Sequence, residues 1–308
     1  MNLRFLCAQP AIKYYVWQVE VLLNNFIEMG INLNQVDIVC WKQTESVPEE
    51  WSKLANGYPA RFFFYEDTRE TKHYISSIRP NILKQHFTKY PELENEAILY
   101  HDCDIVFTKP INWEQFLQDN KWYGSDCRWY IGHDYIISKG EDILDKMCEI
   151  ADIDKQLVKD NELNAIGAQY LMKGINANFW FNVENDCERL FKEITEINNE
   201  KKKENPTYHE LQIWCADMWA VLWNGWKLGY ESICHADLEF AWATSSEAEW
   251  DKLNIFHNAG VVNTEGGLFY KALYMNELPY NKNLQIKEGT ASKKYYEIIQ
   301  NLEKKSVL

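Results

Sequence analysis

Two aspartates two residues apart, Asp102 and Asp104, follow a short apolar run in Ile98-Leu99-Tyr100-His101-Asp102-Cys103-Asp104-Ile105-Val106-Phe107. Carboxylates at that spacing, directly after a buried strand, present oxygens to one hard divalent cation. Mg2+ and Mn2+ favour carboxylate and water ligands and keep positions open for phosphate oxygens. A cation bridging both phosphates of a nucleotide-sugar would stabilise the diphosphate as it departs, a Lewis-acid effect. An acidic loop after a strand also occurs without any ion. Late in the chain, His257 sits in Ile255-Phe256-His257-Asn258-Ala259-Gly260. Neutral imidazole is a competent divalent-metal ligand and would complete the shell; the plain alternative is a half-buried structural histidine.

Three further positions carry chemistry of weaker signature. Asp217, in Trp214-Cys215-Ala216-Asp217-Met218-Trp219, falls in a segment read as a buried helix over 208–226. Leu211, Trp214, Cys215, Met218 and Leu222 would form one apolar face and Trp219, Trp223 and Trp226 another, leaving Glu210, Asp217 and Asn224 on a narrow seam. An acid there is costly unless paired, so Asp217 either bonds a neighbouring backbone or Trp N–H group or faces a cleft, orienting or deprotonating an acceptor hydroxyl. In Ala165-Ile166-Gly167-Ala168-Gln169, Gly167 lets backbone approach a ligand and Gln169 offers an amide to sugar hydroxyls, although a tight strand entry explains the pattern equally well. Arg79, preceding Pro80 at a helix start, would meet a phosphate together with free helix-end N–H groups. His73, His86, His133 and His235 show no partner spacing and read as ordinary.

The elements that must position these residues alternate. Apolar runs at 3–8, Val36–Trp41, Arg61–Tyr65 and Ala97–Tyr100 read as strands. Between them, 14–29, 48–54 and 80–90 read as helices, with Gly30 as a stop and Pro80 in a first turn. That order implies an α/β fold, a mostly parallel sheet with flanking helices in a single large domain. Ligands of such sheets bind beyond the carboxyl ends of the strands. Gln9-Pro10, where the first strand gives way to a loop, and 102–104 both lie at such ends. Further on, 121–127, 135–137, 165–172 and 177–183 read as strands, 141–151 and 184–203 as helices, and 292–302 as a surface helix.

Composition narrows the function. A net charge of −14 over 308 residues opposes binding to a phosphate backbone. It also discourages docking on anionic membranes. Aromatics reach 15%, with 13 Trp, 18 Tyr and 14 Phe, which suits a large aromatic core as well as stacking on sugars or bases. Eight scattered Cys include no C-x-x-C pair, which argues against structural zinc and for reduced thiols in a cytoplasm. The opening residues read as a first strand rather than a signal segment, and no run has the apolar length of a membrane span.

The order of these motifs resembles GT-A glycosyltransferases grouped with the hydroxyproline O-arabinosyltransferases and peptidyl-serine α-galactosyltransferases. The resemblance rests on Tyr15-Val16-Trp17-Gln18, Arg79-Pro80, the run 97–110, Gly167-Ala168-Gln169, 214–220 and Ile255-Phe256-His257. It implies a GT-A domain over 1–270, with a nucleotide-binding half at 1–110 and an acceptor half at 111–270, followed by an extension at 271–308. It further implies a UDP-sugar donor, Mn2+ or Mg2+ on Asp102, Asp104 and His257, and transfer to a hydroxyl acceptor on a glycan, peptide or modified base with retention. Gln9, Arg79, Asp102 and Gly167 would contact the donor, and Asp217 and Gln169 the reacting centre. This chain has Asp102-Cys103-Asp104 where that group has an acid-Pro-Asp sequence, and it lacks the group's secretory anchor, which fits a cytoplasmic bacterial, viral or phage relative. The rival readings are glycosylation of hydroxylated nucleic-acid bases, a nucleotidyltransferase on a similar sheet, and a non-catalytic carbohydrate-binding protein.

Overall fold

The computed structural model describes all 308 residues. Ten strands follow in chain order: β1 (Leu3–Pro10), β2 (Val36–Trp41), β3 (Arg61–Tyr65), β4 (Ala97–Tyr100), β5 (Ile105–Phe107), β6 (Trp122–Asp126), β7 (Ile166–Lys173), β8 (Ser232–Cys234), β9 (Phe240–Trp242) and β10 (Ile255–His257). Seven form one sheet in the order β3-β2-β1-β4-β7-β6-β8, and β5-β10-β9 form a second. The β1–β2, β2–β3 and β6–β8 pairs are parallel, while β6 runs antiparallel to β7. The helices are α1 (Lys13–Glu28), α2 (Glu49–Gly57), α3 (Ile78–Lys89), α4 (Arg128–Ile131), α5 (His133–Ile137), α6 (Glu141–Ala151), α7 (Lys155–Asp160), α8 (Ala177–Glu204), α9 (Ala216–Lys227), α10 (Glu247–Lys252) and α11 (Ala291–Leu302). This is the mixed α/β architecture the alternating sequence pattern predicts.

Several segments fold otherwise than their local pattern predicts. The run 177–183 is helix, not strand, and joins 184–203 in one 28-residue helix, α8. Its aromatic and β-branched residues suit a strand. The Asn176 side chain nevertheless accepts from the backbone N–H groups of Asn178 and Phe179, capping a helix there. Phe179, Trp180, Val183, Cys187, Leu190 and Ile194 then line one buried face at helical spacing. The triplet 135–137 likewise belongs to a short helix, α5, where three apolar residues carried too little period to decide. The helix predicted over 208–226 begins only at Ala216. Before it, buried Asn198 of α8 donates to the Leu211 carbonyl and accepts from the Leu211 amide, which holds that backbone out of a helix. Glu210 therefore shares no helical seam with Asp217 and Asn224. β1 continues through Gln9-Pro10 rather than ending before it.

By internal packing the chain divides into two compact units. The first comprises 1–2, 67–99 and 116–235, with fully buried Trp122, Trp180, Trp219 and Trp223 in its core. The second comprises 3–66, 100–115 and 236–308. Its C-terminal part packs with α1 in an aromatic cluster of Trp17, Phe256, Phe269, Tyr274, Tyr295 and Tyr296. Phe269 stacks on Tyr274 at 5.4 Å and Phe256 on Tyr295 at 4.9 Å. One face of α11, predicted as a surface helix, thus lies in a core. All eight cysteines are free thiols and all but Cys234 are buried. No helix is long and apolar enough to cross a membrane.

Candidate metal centre and the predicted site residues

The predicted carboxylate pair and the distant histidine meet within the second unit. β5, which begins immediately after Asp104, pairs antiparallel with β10, and the register sets Ile105 opposite His257. The Asn258 amide donates to the Asp104 carbonyl at 2.9 Å and locks the end of the pairing. Buried Asn25 of α1 clamps the other end, accepting from the Phe107 amide at 2.7 Å and donating to its carbonyl at 2.9 Å. Two three-residue strands thereby bring together residues more than 150 positions apart.

His257 Nε2 lies 3.2 Å from Asp104 Oδ1 and 3.6 Å from Asp102 Oδ2. One ligand atom from each of the three residues falls within 4.8 Å of the others. The imidazole lies nearly parallel to Trp242, 13° between planes at 6.2 Å, with Phe240 tilted against it at 5.4 Å. These rings fix the imidazole and limit water on its faces. Two carboxylate oxygens and an imidazole nitrogen this close together are a donor set that suits Mn2+ or Mg2+.

A fourth residue, absent from the sequence reading, completes this centre. The Lys271 ammonium donates to Asp104 Oδ2, so the two oxygens of Asp104 face different partners. Burial would raise the Asp104 carboxyl, but Lys271 and His257 outweigh it and hold the carboxyl far below the usual range. Burial works against the Lys271 ammonium, and Asp104 outweighs that in turn, raising it above an ordinary lysine. Tyr14 is pushed up to about 12 by burial, against the opposing charge of Lys271. Behind the loop, buried His101 is pushed down to about 4 by burial, and its Nδ1 lies 2.8 Å from the Asp102 carbonyl. Lys271 sits in no recognisable motif and follows His257 by a loop, so nothing in its spacing marked it.

Arg79 and Asp217 come together in the first unit. Arg79, the second residue of α3, pairs through Nη2 with Asp217 Oδ2 in the first turn of α9. The Tyr74 hydroxyl lies 2.7 Å from Asp217 Oδ1 and 2.5 Å from the Trp214 carbonyl. Burial, with Asp217 beside it, raises the Tyr74 hydroxyl well above an ordinary tyrosine. Asp217 is therefore satisfied by an arginine and a tyrosine rather than by a backbone or Trp N–H.

The remaining predicted positions are tightly packed. Gln9 is buried at the end of β1, its amide nitrogen 3.4 Å from the Val39 carbonyl and 3.3 Å from Cys40 Sγ. Gln169 is buried in β7 and its amide donates to Ser125 Oγ. At Gly167 an added Cβ would lie 2.5 Å from Met218 Cε and 2.9 Å from Cys127 Sγ, so the glycine admits close packing of side chains. His133, read as lacking a partner, has Asp134 Oδ1 2.9 Å from its Nδ1, with Glu162 nearby.

No family model matches the chain, and no curated protein matches its sequence. Among solved structures, the WbbM bifunctional glycosyltransferase in its apo form is similar over 99% of this chain, with a TM-score of 0.51 and 11% identity. The fold is that of GT-A glycosyltransferases. The chain spans about half, 51%, of the WbbM chain it matches. The galactosyltransferase LgtC, solved with donor and acceptor sugar analogues, aligns with 97% of this chain and 95% of its own, at 10% identity and a TM-score of 0.42. A glycosyltransferase involved in glycosylation of the PBCV-1 major capsid aligns with 85% of this chain and 95% of its own, at 12% identity and a TM-score of 0.40.

Proposed function

We propose that this protein is a divalent-metal-dependent glycosyltransferase that moves a sugar from a UDP-sugar to a hydroxyl acceptor with retention at the anomeric carbon. The observation that carries the reading is the convergence of Asp102, Asp104 and His257, whose ligand atoms lie within 4.8 Å of one another. Those three side chains would hold Mn2+ or Mg2+. The cation would supply Lewis-acid stabilisation of the leaving diphosphate. Lys271 keeps Asp104 ionised and adds a second positive charge where an anionic leaving group would gather. Tyr14 remains a neutral hydroxyl at physiological pH, able to donate a hydrogen bond without adding negative charge.

Asp217 is assigned to the acceptor hydroxyl, with Arg79 and Tyr74 holding its carboxylate in one orientation. Those two contacts engage both carboxylate oxygens, Oδ2 by Arg79 and Oδ1 by Tyr74, which suits an orienting, hydrogen-bond-accepting role. Gln9 is assigned to packing within the second unit, and Gly167 and Gln169 to packing within the first.

Donor hydrolysis across a set of UDP-sugars with Mn2+ tests the reading. Wild-type protein should release UDP, chelation should abolish release, and Asp102→Ala, Asp104→Ala and His257→Ala should each reduce it by at least about a hundredfold while the folded far-UV spectrum persists. Full activity in chelated protein or in Asp104→Ala would remove the basis of the proposal.

A further inference from the structure

The chain contains 13 Trp, and all but two are at least partly buried. The exceptions are Trp129, 63% exposed, and Trp214, 57% exposed. Both belong to the first unit, and both rings rest on one residue, buried Tyr130. Trp129 meets the Tyr130 ring edge-on at 4.5 Å, and Trp214 stacks on it at 6.3 Å with 17° between planes. A globular chain gains free energy by burying each indole, so two exposed together on one support are a feature to explain.

Their mounting is rigid. α4, which carries Trp129, is tied to α9 by a hydrogen bond from Trp219 Nε1 to the Ile131 carbonyl at 2.8 Å. The Trp214 carbonyl lies 2.5 Å from the Tyr74 hydroxyl, the same hydroxyl that meets Asp217. Charged residues stand near both tryptophans in the chain. Arg128, next to Trp129, holds Asp126 through paired contacts, its Nε 2.8 Å from Oδ1 and 2.9 Å from Oδ2, with its side chain 39% exposed. Asp217, three residues after Trp214, pairs with Arg79.

We infer that Trp129 and Trp214 form a platform that binds a neutral saccharide, the acceptor of the proposed reaction. Pyranose rings have an apolar C–H face and a rim of hydroxyls. The first matches the flat face of an indole, and the second matches fixed, planar hydrogen-bonding groups such as the Asp126–Arg128 pair. A nucleobase would also stack on indole, but a net charge of −14 opposes the polyanion that carries it. A protein partner would call for a continuous apolar patch, whereas charged residues stand close to these two in the chain, Arg128 beside Trp129 and Asp217 three residues after Trp214. The assignment of this saccharide as acceptor rests on the glycosyltransferase reading; the binding itself does not.

The test uses the full chain and four neutral probes: maltohexaose, chitotetraose, xylohexaose and mannohexaose. Affinities are read by tryptophan fluorescence and calorimetry for wild type, Trp129→Ala, Trp214→Ala, Trp129→Phe, Trp214→Phe and Leu228→Ala, a control at an exposed position elsewhere. At least one probe should bind wild type and Leu228→Ala equally. It should weaken about tenfold or more in each Trp→Ala variant and recover substantially in the Phe variants, with melting temperatures unchanged. Absence of binding to every probe, or binding indifferent to both tryptophans, would overturn the platform. So would a Trp-dependent dimer by sedimentation, or tighter Trp-dependent binding of a single-stranded oligonucleotide. Wild-type donor hydrolysis, measured separately, separates the two claims: UDP release without saccharide binding sinks the platform alone, and saccharide binding without UDP release sinks the transferase reading alone.

Discussion

At the scale of single residues, the Asp104–Lys271 pair decides the electrostatics of the metal centre. Asp104 is buried, and an isolated carboxylate there would take up a proton. Lys271 reverses that outcome. Because the folded carboxyl is held below its unfolded value, the stabilisation is present above about pH 4, the unfolded carboxylate value, and is lost as pH falls below it. Because the folded ammonium is raised, the matching contribution is present below about pH 10 and is lost as pH climbs through the higher folded value. Lys271→Met should therefore lower the stability of chelated protein by about 3 kcal/mol between those limits, with the deficit shrinking under acid. Urea titrations at pH 7 and pH 3 check this; a deficit equal at both would show that packing, not charge, is the source. His101 differs: buried and pushed down to about 4, it stays neutral at physiological pH and adds no charge behind the acidic loop.

At the scale of elements, the site depends on two of the shortest strands in the chain. β5 and β10 have three residues each, too short to fix a register unaided, and Asn25 of α1 grips Phe107 on both its backbone groups. Asn25→Ala would leave a buried amide and carbonyl without partners, at a cost of about 2 kcal/mol. The same change should weaken Mn2+ binding about tenfold, because Asp104 precedes β5 directly; calorimetry on refolded protein reads both effects. Unchanged metal affinity in a destabilised variant would mean that β9 and the aromatic walls alone hold His257 in place. In the first unit, α3 and α9 meet through Arg79 and Asp217. Arg79→Ala should cost about 3 kcal/mol, since it strands a buried carboxylate, and Asp217→Asn in the same chain should recover part of that loss by removing the charge. Thermal melts of the single and double variants measure the coupling.

At the scale of the whole molecule, Glu20 ties the end of the chain to its beginning within the second unit. It is fully buried in α1 and accepts from the Tyr280 hydroxyl at 2.5 Å, the Ser306 hydroxyl at 2.7 Å and the Val307 amide at 2.7 Å, with the Tyr58 hydroxyl at 3.4 Å. Residues after 270, predicted as an extension, supply Lys271 to the metal centre and Tyr295 and Tyr296 to the aromatic core. Glu20→Ala strands several donors at once and should lower the melting temperature by roughly 5–10 °C. Glu20→Gln should lower it less, because one acceptor oxygen survives.

What the amino-acid order determined alone is the set of features encoded over a few neighbouring residues. Val36–Trp41, Arg61–Tyr65, Ala97–Tyr100 and Glu141–Ala151 were legible to the residue, because each is an apolar run or an amphipathic period bounded by breakers. The Asp102–Asp104 pair and its place after a strand were legible for the same reason. Tertiary structure decided what depends on partners remote in the chain. Asn198 kept the backbone at Leu211 out of a helix, Arg79 and Tyr74 claimed Asp217, and Lys271 reached Asp104 across 167 positions. Such contacts leave no periodic trace in sequence, because a side chain meets them only after the backbone has already been placed.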